Sequence, residues 1–203
     1  MSRKGFTLAE ILITLTVIGV VAALTIPTLL QNTNQAELKT AWKKSYADIN
    51  QAALQIINDD GGSLVNMFNS NDDIANAFNA KLSTIKTCSS PNSPGNCFHN
   101  TAKWESLDGS LLGPWTLAGA ILNNGTLVDY RFDSKECVSY CGFIIVDVNG
   151  FKEPNVVGKD IFGIFLKDNG TKPHGDVEGQ TSACLTGSGS GAGWGCSSRY
   201  LYE

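Results

Sequence analysis

The sequence is poor in the residues on which many enzymes and nucleic-acid-binding proteins depend. It contains 2 histidines, 17% charged residues and a formal net charge of −4. Because proteins that bind nucleic acids usually present a basic stripe, this acidic balance argues against direct nucleic-acid binding. The one basic cluster, Lys39, Lys43 and Lys44, fits a solvated helix face near lipid head groups.

Motifs of common catalytic sites are also missing from the sequence. It has no Gly-x-Ser-x-Gly elbow, no phosphate-cradling loop and no paired-histidine helix motif. His99 and His174 lie in polar, loop-like stretches, which predicts surface histidines. We therefore expect neither an enzymatic activity nor a cofactor.

Charge is absent from the run between Ile11 and Leu30, where four threonines are the only polar side chains. A helix of about 20 residues spans roughly 30 Å, the thickness of a bilayer's hydrocarbon core. Arg3 and Lys4 precede the run, and basic residues favour the cytoplasmic side. The sequence therefore predicts a single-pass inner-membrane segment with a cytoplasmic N-terminus and the rest of the chain outside.

Glu10 is unusual because it lies at the edge of this apolar run. An ionisable side chain costs about 2.5–3.5 kcal/mol at the centre of a membrane helix, and less near the interface. A segment that served only as an anchor would have an apolar residue at this position. The carboxylate therefore suggests a positively charged partner.

The residues Gly5-Phe6-Thr7-Leu8-Ala9-Glu10 before an uncharged run resemble the processing site of type IV prepilins and of the pseudopilins of type II secretion. The resemblance implies that a membrane peptidase cuts between Gly5 and Phe6 and methylates the new amine of Phe6. It also implies that Glu10 meets the terminal amine of a neighbouring subunit. Such pairing in lipid would remove two desolvation penalties and set the stagger of adjacent helices.

The resemblance favours a structural subunit of a type IV pilus-like filament, first anchored in the inner membrane and later part of a periplasmic or cell-surface fibre. The implied partners are a prepilin peptidase/methyltransferase, copies of itself, other pilin-like subunits, an inner-membrane assembly platform and membrane lipid. One alternative is a pseudopilin of a type II secretion system. Another is a membrane-tethered binding domain that never polymerises.

Two other interpretations of the N-terminal segment remain open from the sequence. An ordinary secretory signal peptide would be cut near Val21-Ala22-Ala23, and a plain membrane anchor would stay uncut. The first residue of the mature protein distinguishes all three cases: Phe6, a residue near Leu24, or the original start.

The six cysteines predict disulfide bonds, since an even number outside the membrane is typical of an oxidising compartment. Six cysteines allow 15 connectivities, and the sequence does not choose among them. Local pairing is the simplest hypothesis: Cys88 with Cys97, Cys137 with Cys141, and Cys184 with Cys196. Their spacing does not fit a zinc site, and the sequence has no Cys-x-x-Cys redox motif.

We expect an α+β, pilin-like fold in which one long N-terminal helix packs on a C-terminal antiparallel β-sheet domain with disulfide-stapled loops. The expected boundaries are a cleaved leader over 1–5, a membrane or filament-core helix over 6–30, its amphipathic continuation over 31–59, and an exported domain over 60–203. Pro27 should loosen the helix. Glycine after Asp59-Asp60 should end it. Apolar residues at helical spacing predict its packed face: Leu38, Trp42, Ile49, Ala53 and Ile56.

Further along the chain, Asn71-Asp72-Asp73 should cap a second helix whose apolar face reaches Leu82 and Ile85. Asn123-Asn124-Gly125 between two apolar runs predicts a β-hairpin, and the sheet should have about four strands. The expected strands lie at 120–122, 126–132, 143–148 and 161–166. The glycine- and serine-rich stretch 186–195 predicts a surface loop.

Oxygen-bearing side chains are dense between Asp147 and Asp160, and Asn149 lies between them. Calcium binds such ligands in loops, and some pseudopilins bind it near the C-terminus. The spacing is not that of an EF-hand, however, and a turn with local side-chain-to-backbone hydrogen bonds explains the same residues. We therefore predict no metal site, with calcium as the alternative.

Overall fold

The structure, a computed structural model, describes residues 5, 7–100, 103–112, 115, 117–175, 184 and 191–203. The chain forms two compact units, Met1–Glu37 and Leu38–Glu203. Helix α1 (Leu8–Asp59) begins in the first unit and ends in the second. It includes Pro27 without an interruption of the helix.

The part of α1 in the second unit buries one face. Trp42, Ile49 and Ala53 are fully buried, and Ile56 is nearly so. The indole of Trp42 stacks on Phe162 with ring centroids 4.6 Å apart. The apolar residues that the helical spacing singled out are therefore the residues that pack on the sheet, with Leu38 half-buried at the margin.

Glycines end α1 as the sequence predicts. Gly61 and Gly62 have φ values of 92° and 98°, in the left-handed region where glycine has no steric penalty. The amide of Gly62 donates to the carbonyl of Ile57 at 2.8 Å, which is the long-range bond of a Schellman motif. The chain then leaves the helix axis and enters the domain.

The domain is built on a six-stranded antiparallel sheet whose strands lie side by side in chain order. The strands are β1 (Thr84–Cys88), β2 (Ala118–Leu122), β3 (Leu127–Phe132), β4 (Gly142–Asp147), β5 (Ile161–Lys167) and β6 (Gly170–Pro173). The β2–β3 hairpin turns at Gly125, whose φ is 87°, as the Asn-Asn-Gly signal predicts. The α+β layout, with the N-terminal helix, the antiparallel sheet and disulfide-closed loops, is confirmed.

The two edge strands correct the sequence-based count of about four. Strand β6 has only four residues and directly follows a turn, so its sequence resembles a loop. Strand β1 occupies residues that we expected in the second helix. Helix α2 (Asn71–Asn79) is therefore shorter, and Ile85 lies on β1 with 69% of its surface exposed. The N-cap of α2 also differs from the prediction. It is Ser70, one residue before Asn71, and its side chain accepts the hydrogen bond from the amide of Asp73.

Alternation along the strands divides the core between the two faces of the sheet. One face packs against α1 and α2 through residues that include Val128, Tyr130, Ile144 and Val146. The other face, called here the outer face, contributes Phe143, Ile145 and Ile161. These side chains pack in one cluster with the loop residues Phe98, Trp104 and Trp194. All six residues of β4 are buried, because that strand is covered on both sides.

Three disulfides close local loops: Cys88–Cys97, Cys137–Cys141 and Cys184–Cys196. The last one leads into helix α3 (Cys196–Tyr202), which the sequence pattern did not predict. Residues 192–195 are buried, with Trp194 in the outer core, so this part of the expected surface loop is wrong. The preceding part, 186–190, lies outside the described residues. The glycine-rich composition predicted a loop, but glycine is also required where two backbones approach closely, as in this packed segment.

Candidate assembly site

Thr7 and Glu10 form a capping box at the start of α1. The amide and the hydroxyl of Thr7 both donate to Oε2 of Glu10 at 2.8 Å. In return, the amide of Glu10 donates to the hydroxyl of Thr7 at 3.3 Å. The N-terminal amides of a helix have no partners within it, and this reciprocal arrangement satisfies two of them. The carboxylate is thereby held close to the N-terminus of the helix.

The part of α1 that lies in the first unit is apolar and exposed. Residues Leu8–Pro27 have a mean hydropathy of 2.3 and a length of 20 residues, enough to cross a membrane. Thr14, Thr16 and Thr25 donate their hydroxyls to backbone carbonyls within the helix, at 2.8–2.9 Å. Because these three hydroxyls are satisfied within the helix, they can face an apolar environment without the cost of an unpaired polar group.

Comparison with protein families matches residues 1–26 to the prokaryotic N-terminal methylation motif. The chain carries a prepilin-type methylation motif. This motif is the hallmark of type IV pilins and pseudopilins, and it supports a pilin-like or pseudopilin precursor. Together with the motif, the apolar helix over Leu8–Pro27 suggests a membrane-anchored precursor. Searches of curated proteins and of solved structures found no match.

The motif also implies what happens to this precursor. It indicates a structural, pilin-type protein that is processed by a prepilin peptidase and assembled into pilin-like filaments. Gly5 is exposed, and a Cβ at this position would meet no other atom within 4 Å. Phe6, Arg3 and Lys4 lie outside the described residues. Cleavage after Gly5, methylation of Phe6 and pairing of Glu10 with another subunit therefore stay predictions.

Thr7 is a residue of this site that the sequence-based prediction missed. The signal was present, since Thr-x-x-Glu directly before an apolar run is the sequence pattern of a capping box. The position of Glu10 in the sequence suggests a charge without a partner inside its own chain. In the structure, the carboxylate already has two hydrogen bonds, and both reach the same oxygen.

The prediction of surface histidines is wrong for His99 and only partly right for His174. His99 is 5% exposed, and its Nε2 lies 2.8 Å from Oδ2 of Asp147. His174 is half-buried between Phe165 and Trp194, with centroid distances of 4.8 and 5.6 Å. Burial lowers the pKa of His174 to about 4, because the apolar surroundings disfavour the charged imidazolium. The surrounding sequence is polar, but the fold buries His99 and covers His174 in part.

Asp147 and Asp160, at the two ends of the loop that joins β4 to β5, are both buried and hydrogen-bonded. Asp160 accepts the amides of Asn155 and Val156 at 2.8 and 2.7 Å, and Asp147 accepts the amide of Asn149 at 3.0 Å. Burial raises the pKa of Asp147 to about 6 and also raises that of Asp160. Among the described residues, no three His, Cys, Asp or Glu side chains form a group that could hold a metal. The arrangement fits local side-chain-to-backbone bonding, and calcium binding stays untested.

Proposed function

We propose that this protein is a structural subunit of a type IV pilus-like filament and has no catalytic role. It is made as a prepilin, cut between Gly5 and Phe6, methylated at Phe6 and assembled through Glu10 and the apolar helix. The proposed boundaries are a leader over 1–5, a filament-core helix over 6–30, its amphipathic continuation over 31–59 and an exported domain over 60–203. The single observation that supports this proposal is the methylation motif over 1–26, whose residues from Leu8 onward belong to an exposed apolar helix.

The geometry at Glu10 suggests how cleavage could trigger assembly. Both hydrogen bonds from Thr7 reach Oε2 of Glu10. Among the described residues, Oε1 has no hydrogen-bond donor, so it is available to a positive charge from another subunit. Before cleavage, the residue at position 6 has a peptide nitrogen and no charge. After cleavage, its amine is a cation at the head of an apolar helix. Ion pairing with Glu10 of a neighbouring copy would then satisfy two charges that lipid solvates poorly.

The proposed partners follow from these steps. A prepilin peptidase/methyltransferase acts on the bond after Gly5, and an inner-membrane platform and lipid surround the anchored precursor. Copies of this chain and other pilin-like subunits make up the filament, which lies in the periplasm or at the cell surface. We propose no direct contact with nucleic acid.

The test of processing is mass spectrometry of the mature N-terminus. The expected first residue is Phe6 with one added methyl group, and a bulky side chain at Gly5 should block cleavage. A mature start near Leu24 would identify a secretory signal peptide instead, and an uncut chain would identify a plain anchor. Either result contradicts the proposal.

The test of assembly compares Glu10→Leu with Glu37→Leu in cells that make filaments. Glu37 is an exposed carboxylate later on the same helix, so its replacement controls for a general loss of charge. We expect both variants to be cleaved, and only Glu10→Leu to be depleted at least tenfold from sheared filaments. Normal incorporation of Glu10→Leu would disprove charge pairing.

The same purification distinguishes the kind of filament. Loss of surface pili after deletion of this chain supports a pilus subunit. Loss of exported proteins from the medium with pili intact supports a type II secretion pseudopilin. A cleaved chain that is absent from every fibre supports a membrane-tethered domain.

A further inference from the structure

Within the loop closed by Cys88–Cys97, Ser93 contacts the outer face of the sheet. The same loop is also bonded to helix α2, where the amide of Ser90 donates to Oδ1 of Asp72 at 2.8 Å. The carbonyl of Ser93 accepts the amides of Asn96, Cys97 and Phe98 at 2.9–3.1 Å. The hydroxyl of the same residue donates to Oδ1 of Asp129 on β3. Ser93 therefore organises the turn and joins it to the sheet.

Asp129 is a buried carboxyl group in the middle of this interface. It is 3% exposed, and Ser93 is fully buried above it. Across the sheet, Asp129 pairs with Gly119 on β2 and with Ile145 on β4. A Cβ at position 119 would collide with both Ser93 Oγ and Asp129 Oδ1, so glycine makes room for the close approach.

The charged groups around this interface have other partners. On β3, Arg131 lies two residues along on the same face, 3.9 Å from Asp133 and over the ring of Trp115. On β4, Asp147 is bonded to His99. Lys86 on β1 donates to the carbonyl of Asn96. Within the described residues, no salt bridge to Asp129 occurs.

We propose that Ser93 and Asp129 form a proton-dependent latch, which keeps the Cys88–Cys97 loop on the sheet while the carboxyl group is protonated and loosens it on ionisation. A protonated carboxyl group and a hydroxyl form a neutral pair that can be buried at low cost. A single hydroxyl, which is the one hydrogen-bond donor to Asp129 among the described residues, does not compensate a buried carboxylate in this way. Hydrating the carboxylate requires the loop to lift, and the disulfide confines that movement to a closed segment.

The direction of the pH dependence follows from the pKa of Asp129. Burial raises it from 3.8 to about 7, against the opposing effect of the Ser93 hydrogen bond. The closed loop thus binds the proton more tightly than the open loop. Its extra stability is complete below about pH 4, is lost as the pH rises to about 7, and changes little above that. This direction is the opposite of that of a salt-bridged aspartate.

Loosening of the loop would uncover part of the outer core. Phe98 is 1% exposed, packs edge-on against Trp104 with centroids 5.6 Å apart, and directly follows the closed loop. The latch therefore couples the pH around the domain to exposure of an aromatic cluster. This inference concerns the domain alone and does not depend on whether the chain polymerises.

Hydrogen exchange of the full chain in detergent micelles tests the latch. The amides of residues 95–98 are followed from pH 4 to pH 9, and rates are corrected for the intrinsic pH dependence of exchange. Their protection should fall by up to about tenfold per pH unit between pH 4 and pH 7, then level off. The amides of 49–56 on α1 report on the domain as a whole and should not fall in parallel.

Two variants make the test specific to Asp129. Asp129→Asn cannot ionise, so the fall in loop protection should disappear, while Asp48→Asn at an exposed site should leave it unchanged. A fall of equal size in Asp129→Asn, a flat wild-type profile, or an equal fall at 49–56 would overturn the proposal.

Ser93→Ala keeps the test decisive if Asp129→Asn does not fold. Removing the hydroxyl takes away the hydrogen bond that favours ionisation, so the pKa of Asp129 should rise further. The end of the fall in protection should then move above pH 7. An unchanged profile in this variant would show that the serine and the carboxyl group are not coupled.

Discussion

The two parts of helix α1 are both helical, but they differ in the exposure of their apolar side chains. In the first unit, large apolar side chains such as Leu8, Ile18 and Leu24 expose more than half of their surface. In the second unit, Trp42 and Ile49 are completely buried against the sheet. Burial of apolar surface is the main stabilising force in folding. The second part of the helix buries its apolar side chains within its own chain, whereas the described apolar side chains of the first part stay exposed. Its apolar surface needs lipid or other helices.

The largest effect should come from the buried half. Trp42→Ala removes the stack on Phe162 and the 2.9 Å hydrogen bond from the indole to the carbonyl of Ser197. We expect the domain to lose about 3–5 kcal/mol of unfolding free energy, as for other buried aromatic residues.

Denaturant titration of the full chain in micelles measures this loss, with Ile18→Ala as the matched control. Ile18 is 65% exposed, so its truncation should change the stability of the domain by less than about 0.5 kcal/mol. Equal effects of the two variants would remove the distinction between the halves of the helix.

An intermediate effect should appear in the pH dependence of the domain, through His174. The pKa of His174 is lowered to about 4 by burial, so folding favours the neutral ring. The sign is therefore loss of stability as the pH falls from about 6.5 to about 4. Because the ring is partly exposed, we expect a loss of about 1–2 kcal/mol over that range.

His174→Phe isolates this effect, since it keeps a ring between Phe165 and Trp194 but cannot be protonated. The difference in unfolding free energy between wild type and variant should change with pH only between about 4 and 6.5. A constant difference across that range would show that His174 is not protonated on unfolding.

The smallest effect should come from the start of the exposed half. Thr7→Val removes the hydroxyl of the capping box, which should cost the first turn of α1 about 1 kcal/mol. Hydrogen exchange at residues 10–12 in micelles should increase about fivefold, and Thr7→Ser should restore protection. Equal exchange in Thr7→Val and Thr7→Ser would mean that the hydroxyl does not hold Glu10.

The sequence predicted those parts of the structure that depend on local pattern. Trp42 and Ile49 were identified by helical spacing, the α1 terminus by Gly61, and the β2–β3 turn by Gly125. These signals are short-range because they reflect backbone geometry and the alternation of burial. The N-terminal motif could also be identified from the sequence, since its chemistry depends on residue order and not on tertiary contacts.

The errors share a physical cause, which is dependence on distant parts of the chain. Ile85 lies in an edge strand because β2 pairs with that segment, although its own sequence continues a helical pattern. His99 is buried because Asp147, far along the chain, supplies its partner. Trp194 fills the outer core from a glycine-rich stretch whose composition predicts a loop.

Residue order alone determined that this chain carries a prepilin-type methylation motif and an apolar, membrane-length helix, because the motif and the absence of charge are properties of consecutive residues. Tertiary structure alone decided which polar groups are buried together. Ser93 meets Asp129, and His99 meets Asp147, only after the sheet has brought separate segments into contact. Burial by that sheet is what moves the protonation equilibria of the two aspartates, and local sequence does not carry that information.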